Sequence, residues 1–144
     1  MLYETGDNKF PVVKEIDYLK NYIELQQLRF GDDVTLQVEI RNEQPDCTIE
    51  PMLLIPFVEN AFKHGIGMTE EPSINIFLEI GNQRLSFSVS NNYNKQNLSK
   101  DKNSGIGLAN VRNRLELLYK NHYDLVIKDD GKIYTIELNL DLKC

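Results

Sequence analysis

Val58-Glu59-Asn60-Ala61-Phe62-Lys63-His64-Gly65 places a carboxylate, an amide, an amine and an imidazole within a few residues. The octet lies in an apolar run, Met52 to Ile66, that reads as a helix. At about 100° per residue, Leu54, Phe57, Val58 and Ala61 fall on one side, the spacing of a helix packed on a core. Asn60 and His64 are four apart and stack on one flank, with Glu59 and Lys63 beside them. A core helix with such a polar edge can line a pocket. The same residues also read as an ordinary Glu59–Lys63 pair, worth about 0.2–0.5 kcal/mol, with Gly65 capping the helix end.

Outward from this helix, the N-terminal side begins with residues 1–13, weakly patterned and broken at Gly6-Asp7-Asn8, which read as a connector. Lys14 to Phe30 is helical: Ile16, Leu19, Ile23 and Phe30 recur on one face, and Gly31 ends it. Val34, Leu36, Val38 and Ile40 alternate with Thr35, Gln37, Glu39 and Arg41, so a strand with one buried face follows. Cys47 to Glu50 reads as a short strand, and Pro51 opens the central helix.

On the C-terminal side, Ser73–Ile80 and Arg84–Asn92 form an antiparallel hairpin around Gly81-Asn82-Gln83. In its second strand Asn91 is in phase with Leu85, Phe87 and Val89, so an amide ends a core-facing row. An unpaired buried amide costs on the order of 1–3 kcal/mol. Asn91 is therefore hydrogen-bonded inside, or at a pocket mouth, or beyond a frayed strand end. Asn92 to Ser104 is polar apart from Tyr93 and Leu98, and long for a connection within a domain, which suits a lid. Ser104-Gly105-Ile106-Gly107 then feeds a helix with Leu108, Val111, Leu115 and Leu118 on its buried face, ending near Tyr119. Gly-x-Gly at a helix start suits an anion, because free N–H groups and the dipole point at one spot. Tyr123–Lys128 and Lys132–Leu142 close the chain as a second hairpin around Asp129-Asp130-Gly131.

The elements do not alternate strand and helix regularly, which argues against a doubly wound parallel sheet. The economical fold is an α+β two-layer sandwich: one mostly antiparallel mixed sheet, three helices on a single face, the other face carrying Thr, Ser, Glu and Asn.

The bulk properties bound the function. The chain has 144 residues, 41% of them hydrophobic, enough for one domain with a core. A net charge of −6 without a basic block makes nucleic acid or an anionic membrane a poor partner. Cys47 and Cys144 have no metal-ligand spacing, so a reducing compartment and no structural zinc are expected. No apolar run reaches the roughly 18 residues of a membrane span, and Met1-Leu2-Tyr3-Glu4 is no signal peptide.

These elements, in this order, resemble the ATP-binding (Bergerat) domain of the GHKL superfamily, and within it the sensor histidine kinases of the LytS/YehU type. Tyr22 through Gly31 resembles the entry helix of that group, Pro51 through Gly65 its N box, and Gly105 through Leu115 its G2 box and following helix. The resemblance covers nearly the whole chain. It implies a connector at 1–13 from an upstream dimerisation region, a catalytic domain at 14–144 and an ATP lid at about 92–106.

The resemblance also implies roles by position. Asn60 matches the Mg²⁺ ligand that bridges the ATP phosphates, Lys63 and His64 match positions facing the phosphates, and Glu59 matches the acidic position that orients the attacking group. Gly105, Ile106, Gly107 and Leu108 match the lid end that approaches the phosphates. The G1 box departs from the pattern: Asn91 stands for the aspartate that accepts the adenine N6 hydrogen, and Tyr93 for a glycine. An amide carbonyl still accepts that hydrogen, without charge assistance.

Neither His64 nor His122 sits where a phosphoacceptor would. The implied activity is therefore presentation of the ATP γ-phosphate to a histidine outside this fragment, in the upstream dimerisation region, for later transfer to a response regulator of the LytTR type. The full-length kinase would be a membrane-anchored bacterial homodimer, with this fragment a monomeric, cytoplasmic part. Two alternatives are weighed: a degenerate domain that docks a partner without nucleotide, motivated by Asn91 and Tyr93, and another GHKL enzyme such as an anti-sigma type serine kinase or a hydrolysing ATPase, against which the entry helix and the lack of a long transducer region argue.

Overall fold

The computed structural model describes residues 10–65, 71–93 and 105–144. Strand β1 (Phe10–Pro11) leads into helix α1 (Val12–Phe30), followed by a turn of 3₁₀ helix and strand β2 (Thr35–Asn42). Strand β3 (Thr48–Ile49) precedes helix α2 (Ile55–Gly65), and strands β4 (Ser73–Gly81) and β5 (Arg84–Asn92) form the first hairpin. Helix α3 (Gly105–Leu118) and the hairpin of β6 (Tyr123–Asp129) and β7 (Ile133–Asp141) complete the fold.

The main sheet has the order β2-β4-β5-β7-β6, and β1 pairs with β3 in a separate two-stranded sheet. All pairs in the main sheet are antiparallel except β2 with β4, which run parallel. Parallel pairing needs a crossover, and β3 and α2 supply it. Register stacks Ile76, Val89 and Ile136 in one row and Leu78, Phe87 and Leu138 in the next. These six are buried, as period-two alternation demands. Phe57 of α2 meets Phe87 edge-on at 5.9 Å, and Phe62 of the same helix stacks on Phe30 of α1 at 6.2 Å.

The two-layer sandwich and, among the described residues, its three helices are as expected; several details differ. Residues 10–13, read as connector, form β1 and the first turn of α1, held by the Val12 N–H donating to the Cys47 carbonyl at 2.9 Å. Val38, expected in the core, is 41% exposed, because β2 is an edge strand. The central helix starts at Ile55 rather than near Met52, whose φ of 61° lies outside the helical region. Leu118 is 53% exposed; Tyr119, one residue on, takes the inward place and accepts the Glu50 N–H at 2.9 Å. The first hairpin turns on two residues, Asn82 and Gln83, both with positive φ, since Gly81 already pairs with Arg84. Of the lid read at about 92–106, Asn92 belongs to β5 and Gly105 and Ile106 open α3, while residues 94–104 lie outside the described residues.

The cysteine reading is also corrected: Cys47 and Cys144 form a disulfide. The cause is long-range. An antiparallel bridge between Thr48 and Lys143 sets their neighbours side by side, although the cysteines are 97 apart in sequence. No helix among the described residues is long and apolar enough to cross a membrane.

Candidate functional site

Helix α2 carries the polar edge. Phe57 fixes its sheet-facing side, and Asn60 and His64, three and seven residues on, lie within about 60° of that direction. Asn60 is only 6% exposed, and among the described residues its amide makes no hydrogen bond. A buried polar group without a partner is uncommon and calls for a ligand or another cause. His64, half-buried, stacks on Tyr134 of β7 at 6.4 Å, with ring planes 20° apart. Lys63 is exposed, about 120° from Phe57 and between Asn60 and Glu59 round the helix.

The strand end meets this flank. β5 runs regularly through Asn92, so Asn91 has not frayed away; it is 2% exposed and pairs in register with Tyr134. Its Nδ2 donates to the Asn92 carbonyl at 3.1 Å. Asn91, Tyr134 and His64 are thus consecutive neighbours from sheet to helix. Burial pushes the Tyr134 phenol up; the Asp129 carboxylate adds to the shift and the Arg112 guanidinium on α3 opposes it. Gly105, Ile106, Gly107 and Leu108 form the first turn of α3, which packs beside α2. The glycines therefore stand at a helix N-terminus, as the Gly-x-Gly reading requires.

Glu59 is placed apart from this group. It is exposed, about 200° round the helix from Phe57. Its charge reaches Tyr22 on α1, whose phenol is raised first by burial and then by Glu59. His122 is at the other end of α3, its Nδ1 3.2 Å from an Asp141 carboxylate oxygen.

Tyr93 is buried at the end of β5. Its hydroxyl donates to Asp129 Oδ1, and its N–H to the Lys132 carbonyl at 3.0 Å. Asp129 in turn caps the β6–β7 turn by accepting the Gly131 N–H at 2.9 Å. The phenol pKa is pushed up to about 12, chiefly by burial and next by this hydrogen bond.

Three further residues escaped the sequence reading, Glu15, Arg114 and Tyr119, which together hold residues 50–54 ahead of α2. Glu15 is fully buried, and its carboxylate accepts the N–H groups of Met52, Leu53 and Leu54 at 2.9, 3.0 and 3.1 Å. Arg114 of α3 donates to the Pro51 carbonyl at 2.8 Å and the Met52 carbonyl at 3.3 Å, and reaches Glu50 at 3.4 Å. A single buried N–H left unpaired here costs about 1–3 kcal/mol. The available signal was phase: Glu15 lies among Val12, Ile16, Leu19 and Ile23 on the buried face of α1.

The two-layer fold of this chain is the one seen in the catalytic domains of histidine kinases. The chain is 31% identical over 144 residues to the sensor protein kinase HptS of Staphylococcus aureus strain bovine RF122, covering 92% of the chain and 28% of that relative. It therefore spans little more than a quarter of the curated relative it matches. Among solved structures, the histidine kinase ThkA catalytic domain, nucleotide free, superposes with a TM-score of 0.62 at 16% identity, covering 93% of this chain and 96% of that one. Full-length ShkA in complex with AMPPNP gives 0.66 at 16% identity, covering 94% and 31%. No protein-family model matches the chain.

Proposed function

We propose that this chain is the ATP-binding catalytic domain of a sensor histidine kinase of the LytS/YehU type. It holds Mg-ATP and presents the γ-phosphate to a histidine outside these residues, in an upstream dimerisation region; the phosphate then passes to an aspartate of a response regulator of the LytTR type. The observation that carries this reading is the buried Asn60 amide, which no described residue pairs, on the flank shared with His64. An amide oxygen is a hard, neutral donor, which fits a metal that takes oxygen and few protein groups.

When bound, Mg²⁺ neutralises charge on the phosphates. The chain's own part is binding and orientation. Asn60 would hold the metal, and the Asn91 Oδ1 would accept the adenine N6 hydrogen, its Nδ2 being committed to the Asn92 carbonyl. Lys63 and His64 face the phosphates, and the N–H groups at Gly105, Ile106, Gly107 and Leu108 cradle them at the α3 N-terminus. Glu59, exposed on α2, would orient an attacking histidine that arrives from outside the domain. Catalysis on this account is positioning plus electrostatic stabilisation.

Support from related proteins is of three kinds. HptS is a sensor protein kinase, ShkA was solved with AMPPNP, and ThkA was solved in complex with the response regulator TrrA. The full-length protein is on this reading a membrane-anchored homodimer with this domain in the cytoplasm, where thiols are ordinarily kept reduced and the Cys47–Cys144 bond would form only on oxidation, residues 1–9 leading in from the dimerisation region and the lid lying between β5 and α3. A second reading, a docking module without nucleotide, is favoured by one observation: the buried Tyr93 ring where the family pattern has glycine.

Incubating the chain with Mg-ATP and a separate dimerisation-helix fragment tests the proposal. Acid-labile phosphohistidine on the fragment is the expected product. Acid-stable phosphoserine, or no transfer at all, would contradict it.

A further inference from the structure

Residues 51–54 lack regular secondary structure, and their backbone groups are claimed by two flanking helices. Glu15 of α1 takes three successive N–H groups, and Arg114 of α3 takes two carbonyls. Leu53 and Leu54 are fully buried, so apolar packing already keeps this loop inside the domain. Such packing is non-directional and lets a loop slide. Hydrogen bonds to a two-oxygen carboxylate are strong and fix where the N–H groups point.

We propose that Glu15 is a positioning residue for the metal ligand: by gripping the loop from which α2 springs, it sets the place of Asn60 opposite α3. The inference rests on the reading of Asn60 as a magnesium ligand. Asn60 is six residues beyond Leu54, about 9 Å along a rigid helix. A shift of the loop therefore reaches Asn60 nearly undiminished. Metal–ligand distances tolerate only about 0.2 Å. Lys63, exposed on a long flexible stem, absorbs a small shift, whereas the short buried amide of Asn60 has no such freedom. The same grip joins the metal ligand to α1, so displacement of α1 changes metal affinity without touching the nucleotide.

Glu15→Gln is the direct test. The amide is nearly isosteric, but its NH₂ faces an N–H that the carboxylate accepted. Affinity for AMPPNP is measured calorimetrically with Mg²⁺ and with EDTA, on the 144-residue chain, E15Q and Asn60→Ala. The expected result is loss of about tenfold of the magnesium-dependent gain in affinity in E15Q, the size typical of groups that orient metal ligands, with metal-free binding little changed. Arg114→Lys, which keeps the charge and loses the fork, is expected to show a smaller loss of the same kind and is read instead if E15Q does not fold. Equal losses with and without Mg²⁺ would mean that Glu15 only holds the fold, and would overturn the proposal. So would a folded variant that matches the parent while N60A loses the magnesium-dependent gain. A parent chain that gains nothing from Mg²⁺ would overturn the metal assignment first, and the inference with it.

Discussion

Two buried asparagines, Asn60 and Asn91, stand at the centre of the proposed site, and they were legible for different reasons. Asn91 ends a row of alternating core residues, and a regular strand carries that phase unbroken to the amide. Asn60 showed only as part of a polar cluster; that its amide goes unpaired depends on packing that periodicity does not describe. Glu15 was invisible because a charged residue on an amphipathic helix is ordinarily assigned to water, and its partners lie 37 to 39 residues away. Tyr93 yields a pH prediction at this scale. Its phenol rises from 10.0 to about 12 on folding. The folded state thus favours the neutral phenol, a contribution fully present below pH 10.0 and lost as the pH rises through about 12. Comparing denaturant midpoints of the parent and Tyr93→Phe across that range should show the parent's advantage shrinking as the pH rises. A difference that stays constant would refute the assignment.

At the level of elements, the alternation of β4, β5 and β7 and the apolar stripes of α1 and α2 follow from patterns of two and 3.6 residues. Their ends follow from single bonds instead. Helix α2 begins at Ile55 because Met52 has a φ of 61° and the Pro51 and Met52 carbonyls, which would accept the first helical bonds, go to Arg114, and the α3 end turns Tyr119 inward because its hydroxyl meets the Glu50 N–H. Neither partner can be read from local sequence. The β4–β5 turn is a similar case: both central residues have positive φ, 54° at Asn82 and 59° at Gln83. Asparagine tolerates that region and glutamine does not, so Gln83→Gly should relieve a cost of about 1 kcal/mol or more, partly offset by the greater freedom of glycine when unfolded. A small rise in thermal midpoint is expected, with the Gln83 backbone bonds to Gln44 and Leu142 retained. A fall would show that the Gln83 side chain itself holds the turn.

For the molecule as a whole, the sandwich class and the single parallel pair are consequences of element order. The disulfide is not, since it depends on the last strand returning to the start of the chain's second sheet. It links the end of the sheet to the Cys47 segment, whose carbonyl also anchors α1. Closing so long a loop restricts the unfolded chain, and Cys144→Ser, at an exposed position, should lower stability by about 2–4 kcal/mol. An unchanged denaturation midpoint, or free thiols in the unreduced denatured chain, would contradict that link.

The central claim is that this domain binds Mg-ATP through Asn60. Calorimetric titration with Mg-ATP of the parent chain and of Asn60→Ala tests it most directly. The account predicts saturable binding by the parent and a loss of at least about tenfold in the variant, since even groups that only orient a metal ligand cost that much. No binding at millimolar nucleotide, or a variant that binds as well as the parent, would contradict it.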